Sequence, residues 1–223
     1  VDGYRTGDPE VLPAAPNAYT PGEPLPEEVD VLIVGTGPAG CVLAAQLAAF
    51  PGIRTRAIER REGPLERGQA DGVACRTVEM FQAFGLAWTM LDEAYWVNES
   101  VFWGPDPSDP SRIIRTGRVQ DTQDGLSEMP HVIVNQARLQ EYLLEKMRKS
   151  PTRLEPDYGV EFVTLEVQPT GEHPVLVTLS EDGRQFQLRA KYVVGCDGSR
   201  SGVRTAIGRE LHPAHHVMRG RYH

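Results

Sequence analysis

The chain has 223 residues, of which 40% are hydrophobic, and its formal net charge is −8. This length and apolar content suffice for a substantial core, and the negative charge argues against nucleic acid as the main partner. No apolar run approaches the roughly 20 residues that a membrane helix needs. The first residues lack the basic-then-apolar pattern of a signal peptide, so the predicted location is cytoplasmic.

The three cysteines are Cys41, Cys75 and Cys196, and they lie far apart in the sequence. An odd, scattered set in an acidic protein indicates reduced thiols, not a disulfide framework or a zinc site. No metal site is predicted within the body of the chain.

The first elements in the chain predict a βαβ unit. Residues 1–26 contain six prolines and are predicted to form an extended arm that lies on the domain or on a partner. A buried strand is expected over Glu27–Val34, then a glycine corner, a helix over Ala39–Phe50 and a second strand over 54–60. This order implies a parallel sheet with helices on its faces.

The middle of the chain predicts a different arrangement. A glycine-rich loop over 60–72 precedes a helical pattern over 75–94 that is broken at Gly85. Two strands of a separate antiparallel sheet are expected within 100–121. A short strand and an amphipathic helix follow in "MPHVIVNQARLQEYLLEKMRKS".

Residues 160–198 predict a β-meander of three strands, the last of which runs into "GCDGSRSGVR", where a helix is expected to begin. The stretch after Leu211 holds four of the six histidines and has no apolar periodicity. It is predicted to be an aberrant or disordered tail, with metal binding as the alternative interpretation.

The glycine corner "GTGPAG" fits the pattern GxGxxG between a strand and a helix. Gly35 allows the tight turn, Gly37 lets the backbone approach a pyrophosphate, and Gly40 lets the helix pack on the strand. Glu59 ends the second strand 19 residues after Gly40, where a carboxylate accepts hydrogen bonds from a ribose and repels a 2′-phosphate. The corner therefore predicts FAD or NAD, the alternative being a glycine turn that binds nothing.

The second corner, at Asp197 and Gly198, favours FAD over NAD. A plain NAD dehydrogenase continues its sheet with further βα units, whereas this chain inserts a meander and then returns to an acid-glycine turn. A carboxylate near a pyrophosphate is tolerated when it binds through water, amides or ribose hydroxyls, with Arg200 or Arg204 offsetting the charge. A β-turn with a capping Asp is the alternative.

These two motifs resemble those of the single-component, FAD-dependent aromatic hydroxylases. "GQADGVACRTVEMFQAFGL" and "LSEMPHVIVNQARLQEYLLEKM" narrow the resemblance to the phenol hydroxylase branch, and within it to the hydroxylation of 3-hydroxybenzoate. The resemblance covers about residues 27–211. It implies an α/β fold with a Rossmann-like FAD-binding sheet, an inserted β-meander and part of an antiparallel substrate sheet.

The resemblance also implies roles for individual residues. Asp71 matches an acid near the phenolic hydroxyl of the substrate, and His131 matches a position that contacts the substrate carboxylate. For each of them a purely structural role, as a turn residue or a packed histidine, is the alternative. The predicted cofactor-binding residues are Gly35, Thr36, Gly37, Pro38, Ala39, Gly40, Glu59, Arg60, Gly68, Gln69, Ala70, Gly72, Gln136, Asp197 and Gly198.

The implied activity is NADPH- and O2-dependent ring hydroxylation through a flavin C4a-hydroperoxide, giving 3,4-dihydroxybenzoate. Asp71 would accept the phenolic proton and protonated His131 would hold the carboxylate. The alternatives are phenol 2-hydroxylation on the same scaffold, a non-catalytic FAD-binding fragment and an NAD-linked dehydrogenase. The full-length form is expected to be a homodimer.

The sequence lacks parts of the family pattern. A later Gly-Asp motif, most of the substrate sheet and a thioredoxin-like domain are not found. The chain is therefore expected to be a truncated form, through truncation or a reading-frame error, that wastes NADPH electrons as peroxide.

Overall fold

The computed structural model describes residues 7–68 and 70–209, so the predictions for Gln69 and for the tail over 212–223 lie outside the described residues. In chain order, the helices and strands are β1 (Glu28–Val34), α1 (Pro38–Leu47), β2 (Thr55–Glu59), β3 (Gly72–Val73), α2 (Cys75–Ala83), α3 (Ala87–Glu93), β4 (Tyr95–Val97), β5 (Glu99–Asp106), β6 (Asp109–Gln120), β7 (His131–Ile133), α4 (Gln136–Lys149), β8 (Asp157–Tyr158), β9 (Val160–Val167), β10 (Val175–Glu181), β11 (Arg184–Gly195) and α5 (Gly202–Ala206).

The chain folds as two compact units. Of the described residues, the first unit takes 7–63 and 150–209, and the second takes 64–68 and 70–149. No helix within 7–68 or 70–209 is long and apolar enough to cross a membrane.

The first unit is built on one six-stranded sheet with the order β8-β2-β1-β11-β10-β9. β1 runs parallel to both β2 and β11, whereas β11, β10 and β9 form an antiparallel meander. The predicted parallel sheet with an inserted meander is thus confirmed. From Val31 to Val34, β1 is a continuous apolar run, as expected for a strand covered on both faces, and Val29 and Leu32 of β1 are buried together with Ile58 of β2.

The meander turns where the sequence predicts a tight turn. Asp182 and Gly183 connect β10 to β11, and both have a positive φ, of 49° and 75°. Two central residues of this kind form a type I′ turn, whose twist matches that of the flanking strands. This turn sets the register in which Glu181 faces Arg184, and so determines which residues of β11 enter the core.

The proline-rich arm lies along the first unit over its described part. The N–H groups of Ala15 and Tyr19 donate to the carbonyls of Pro151 and Thr152 at 2.8 and 2.7 Å. The buried Arg56 guanidinium stacks on the Tyr19 ring and pairs with two carboxylates, those of Glu23 and Asp157. Backbone bonds and a buried cation therefore fasten the arm.

The second unit contains a three-stranded antiparallel sheet, β3-β7-β4, and a separate two-stranded ribbon of β5 and β6. The helical pattern over 75–94 does break at Gly85, which has a φ of 75° and separates α2 from α3. The expected apolar face of α4 is buried, with Leu139, Leu143, Leu144 and Met147.

The three tryptophans stand in the second unit. A tryptophan is ordinarily a core or an interface residue, but Trp88, Trp96 and Trp103 are 67%, 50% and 66% exposed, so none of them is a core residue. Trp103 lies on β5, in the two-stranded ribbon.

Candidate functional site

The two glycine corners meet at the carboxyl ends of adjacent parallel strands in the first unit. β1 and β11 pair in register, so that Val34 lies opposite Gly195, and the Cys196 N–H donates to the Val34 carbonyl at 2.7 Å. The chain then leaves both strands at the same edge of the sheet. Ligands of open α/β sheets bind in this position, outside the carboxyl ends of the strands.

Gly35 is required at this corner by backbone geometry. Its φ of 95° lies in the left-handed region, and a Cβ at this position would lie 2.7 Å from the Cys196 carbonyl oxygen. Gly40 is equally constrained, because its Cβ would lie 1.9 Å from the Gly35 carbonyl oxygen. The two corners therefore touch through backbone atoms, which only glycine permits.

Gly37 has a different environment. It is the N-cap of α1 with a φ of −65°, makes no side-chain capping bond, and has no atom within 4 Å of the place where a Cβ would stand. Space next to free N–H groups at a helix N-terminus is what a phosphate group needs. The site therefore fits the pyrophosphate of a dinucleotide, with Pro38 and Ala39 forming the exposed first turn.

Glu59 holds the glycine corner in place. Its Oε2 accepts hydrogen bonds from both the N–H and the hydroxyl of Thr36, each at 3.0 Å. Arg61 pairs with the same carboxylate through its backbone N–H and its guanidinium. Burial disfavours the ionised form, but the bonds from Arg61 and Thr36 outweigh burial and lower the pKa of Glu59.

The bonds that Glu59 makes with Thr36 and Arg61 were not predicted from the sequence. The predictions were that its carboxylate faces a ribose and that Arg60 contacts the cofactor, and both stay predictions; the structure places Arg60 on the surface and Arg61 against Glu59. The spacing of motif and acid predicts where the carboxylate stands, but not which neighbouring arginine turns toward it.

Asp197 is also held by hydrogen bonds. Its carboxylate accepts from the Ser201 hydroxyl at 2.5 Å and from the Val203 N–H at 3.2 Å, while Ser201 caps α5. The Arg204 guanidinium donates to the Ser199 carbonyl at 2.7 Å, and the charge compensation by Arg200 or Arg204 stays a prediction. Burial, and then the charge of Asp197, raise the pKa of the neighbouring Cys196 thiol, which remains a thiol at neutral pH.

The predicted cofactor-binding residues Gly68, Ala70 and Gly72 belong to the second unit, in a loop whose backbone is held at two points. The Leu65 N–H donates to Gln140 at 2.6 Å, and the Val134 N–H donates to the Asp71 carbonyl at 2.8 Å. A Cβ on Gly68 would lie 2.9 Å from Asp71 Oδ1 and 3.0 Å from the Gln136 backbone nitrogen. The glycine thus lets the loop close onto the start of α4, beside exposed Ala70.

His131 lies on β7 next to this loop. Its Nδ1 is 2.7 Å from the Asp121 carboxylate, and its Nε2 would lie 3.3 Å from a Cβ at Gly72. The structure therefore places His131 beside Gly72 and adds an acid, Asp121, that the sequence analysis did not name. The two paired residues stand 10 positions apart in the chain, and no motif marks their pairing.

The described residues contain no group of three or more side chains suited to a metal ion. The fold and its paired glycine corners define a dinucleotide-binding α/β protein, and the chain belongs to the FAD binding domain family, whose profile matches residues 28–221. Together with the curated relatives described next, this match confirms the predicted resemblance to FAD-dependent hydroxylases.

Two curated relatives are informative. A 3-hydroxybenzoate 4-monooxygenase from Comamonas testosteroni is 55% identical over 217 residues, which is 95% of this chain and 34% of the relative. The phenol 2-monooxygenase fsqG from Aspergillus fumigatus is 32% identical over 187 residues, which is 80% of this chain and 29% of the relative. The chain thus spans about a third of the length of the curated relatives it matches.

Among solved structures, the flavin-dependent monooxygenase PieE in complex with FAD and substrate is similar with a TM-score of 0.70 and 27% identity, over 84% of this chain and 33% of that one. The predicted fold class is confirmed by this likeness.

Proposed function

We propose that this chain is the FAD-binding portion of an NADPH- and O2-dependent aromatic hydroxylase that converts 3-hydroxybenzoate to 3,4-dihydroxybenzoate. The observation that carries the proposal is the 55% identity to a 3-hydroxybenzoate 4-monooxygenase over nearly the whole chain. Bound FAD supplies the redox chemistry that activates O2 with electrons from NADPH. The chain's own residues would bind and orient the cofactor and the substrate, and would exchange protons with the substrate.

Residues of the first unit would hold the adenine-nucleotide part of the cofactor. The uncapped N-terminus of α1 and the open space at Gly37 suit a pyrophosphate. Glu59 would face the ribose, and since its oxygens already accept from Thr36 and Arg61, a ribose hydroxyl has to share or replace one of those bonds. Asp197 and Gly198 would lie beside the same phosphates, with the Asp197 carboxylate stabilised by the Ser201 hydroxyl and the Val203 N–H.

Residues of the second unit would serve the flavin ring and the substrate. Gly68, Gln69, Ala70 and Gly72 would lie along the ring, and Gln136 would hydrogen-bond the FAD. Asp71, whose side chain is exposed, would accept the phenolic proton as a general base. His131 would bind the carboxylate of a hydroxybenzoate, each charge stabilising the other.

Substrate preference tests this proposal. In FAD-loaded protein, His131→Ala should raise the KM for 3-hydroxybenzoate roughly tenfold, the equivalent of about 1.4 kcal/mol, because one ionic contact is lost. The KM for phenol should change little, since phenol has no carboxylate. The rate of NADPH oxidation at varied concentrations of each ligand gives both KM values, and equal effects on the two ligands would contradict the assigned substrate.

Phenol 2-hydroxylation is the second candidate, which the 32% identity to a phenol 2-monooxygenase supports. A non-catalytic FAD-binding fragment would be yellow but inert with NADPH and every phenol, and an NAD-linked dehydrogenase would be colourless. One visible spectrum and one NADPH assay separate these alternatives. A cytoplasmic location and a homodimeric full-length form remain predictions.

A further inference from the structure

His131 and Asp121 form a pair whose geometry is fixed from both sides. The two side chains are 28% and 22% exposed, and His131 Nδ1 lies 2.7 Å from Asp121 Oδ2. Asp121 follows directly after β6, where its N–H donates to the Asn98 carbonyl at 3.1 Å. The backbone of Asp121 is thus held by a hydrogen bond to Asn98, and the backbone of His131 is held by the pairing of β7 with β3 and β4.

The pairing determines which nitrogen of His131 carries a proton. A carboxylate only accepts hydrogen bonds, so Nδ1 must be the donor in a bond to Asp121. Nε2 is then the nitrogen left for a ligand: it is a bare acceptor when the ring is neutral and a donor when the ring is protonated. A neutral histidine with no partner has no such constraint.

Nε2 faces a place where the neighbouring strand has no side chain. β3 pairs with β7 so that Gly72 lies opposite Ile133, and His131 stands two residues earlier on the same face. A Cβ at position 72 would come within 3.3 Å of Nε2, closer than an ordinary contact. Gly72 does not have a positive φ among the described glycines, so the backbone does not require glycine there. The absent side chain keeps Nε2 approachable.

We propose that Asp121 is a positioning residue that keeps a proton on Nδ1 of His131 and directs Nε2 at the carboxylate of an aromatic acid. The proposal rests on the proposed function and deepens it. When the anion binds, the ring takes one proton from solvent, so that Nδ1–H bonds to Asp121 and Nε2–H bonds to the ligand.

Asp121 and the ligand carboxylate are both negatively charged, so the distances between the charges determine whether Asp121 favours ligand binding. A ligand oxygen bonded to Nε2 would lie roughly 7 Å from Asp121, on the other side of the ring. The repulsion between this oxygen and Asp121 is therefore less than half the attraction between the protonated ring and either of the two carboxylates. The attraction between Asp121 and the protonated ring acts over 2.7 Å. Removal of Asp121 should therefore weaken the binding of an anion, although it removes a negative charge.

The tautomer of His131 is measured by long-range ¹H–¹⁵N correlation in protein with labelled histidine, at about pH 8, where an ordinary imidazole is neutral. His131→Gln assigns the signals. The proposal expects Nδ1 to carry the proton in the unmodified chain and Asp121→Ala to lose that preference. Asp124→Ala is the matched control, because Asp124 bonds to Gln120 at 2.8 Å and should leave the tautomer unchanged.

Titration of the same samples with 3-hydroxybenzoate gives the second readout. Asp121→Ala should weaken binding roughly tenfold, the lower end of the loss when an imidazole at a metal site loses its orienting partner. If that variant does not fold, Asp121→Asn replaces it and is also expected to weaken the binding of 3-hydroxybenzoate. An Nε2–H tautomer in the unmodified chain, or unchanged or tighter binding in the variant, would overturn the proposal. An Nδ1–H tautomer with no binding by the unmodified chain would support the pairing and contradict the proposed substrate.

Discussion

Gly35 and Gly37 stand two residues apart and have different tasks. Gly35 is a structural requirement, because its φ of 95° and the Cys196 carbonyl at 2.7 Å exclude a side chain. Gly35→Ala should lower the free energy of unfolding by about 2–4 kcal/mol, the sum of left-handed strain and overpacking. Urea denaturation followed by circular dichroism measures the change.

Gly37→Ala is the matched control and carries the opposite expectation. Alanine adopts a φ of −65° without strain, and nothing lies within 4 Å of the new methyl group. The free energy of unfolding should stay within about 0.5 kcal/mol, whereas the methyl group should weaken FAD binding by obstructing the phosphate. Normal FAD binding by Gly37→Ala would contradict the assignment of Gly37 as the residue at which the phosphate approaches the backbone.

Glu59 makes the stability of the first unit depend on pH. Its pKa lies below the ordinary 4.5 in the folded protein, so its stabilising effect is present above that value and disappears as the pH falls through the lowered pKa. Glu59→Gln should lower the free energy of unfolding at neutral pH by roughly 1–3 kcal/mol, since bonds to a charged group are lost.

The difference between Glu59→Gln and the unmodified chain should be largest at neutral pH and should shrink toward zero at an acidic pH below the lowered pKa of Glu59, where both side chains are neutral. Urea unfolding at both pH values provides the comparison. If Glu59→Gln lowered the free energy of unfolding by the same amount at both pH values, the charge of Glu59 would not be what stabilises the contact with Thr36.

At the scale of elements, α4 depends on its first residues. Asn135 precedes α4, and its side chain accepts from the Ala137 N–H at 2.9 Å, which is an N-cap. Asn135→Ala should lower the free energy of unfolding by about 1 kcal/mol, whereas Asn135→Asp keeps the acceptor and should cost little. Denaturant titration of the unmodified chain and the two variants tests this. If both variants lowered the free energy of unfolding equally, the side-chain acceptor at position 135 would not be what stabilises α4.

Periodicity predicted the longer elements and missed the shortest ones. β1, α1, α4 and the meander have enough residues for an apolar pattern to appear, so the sequence places them to within a few residues. β3, β4 and β8 have only two or three residues each, too few to show any alternation. Their pairing depends on the neighbouring strand, which no local pattern reveals.

The same limit applies to the candidate site. Gly35, Gly37 and Gly40 follow from a spacing that has a mechanical reason. Asp121 was missed because its pairing with His131, 10 residues away, is set by tertiary geometry. Arg61 was missed although it stands two residues from Glu59, because no sequence signal distinguishes it from the neighbouring Arg60. The roles predicted for Asp71 and Gln136 stay predictions.

At the scale of the molecule, the first unit joins segments that are far apart in sequence. Residues 28–59 supply the β1-α1-β2 unit, and residues 157–195 supply the other four strands of the same sheet. The central claim is that the two corners at the ends of β1 and β11 hold one dinucleotide phosphate bridge.

Hydrogen exchange with and without FAD tests that claim most directly. FAD should slow amide exchange both at residues 35–41 and at residues 195–204, because one ligand covers both corners. The exposed ribbon of β5 and β6 should exchange at an unchanged rate and serves as the internal reference. Protection of one corner alone, or of neither, in a chain that keeps its fold would contradict the account.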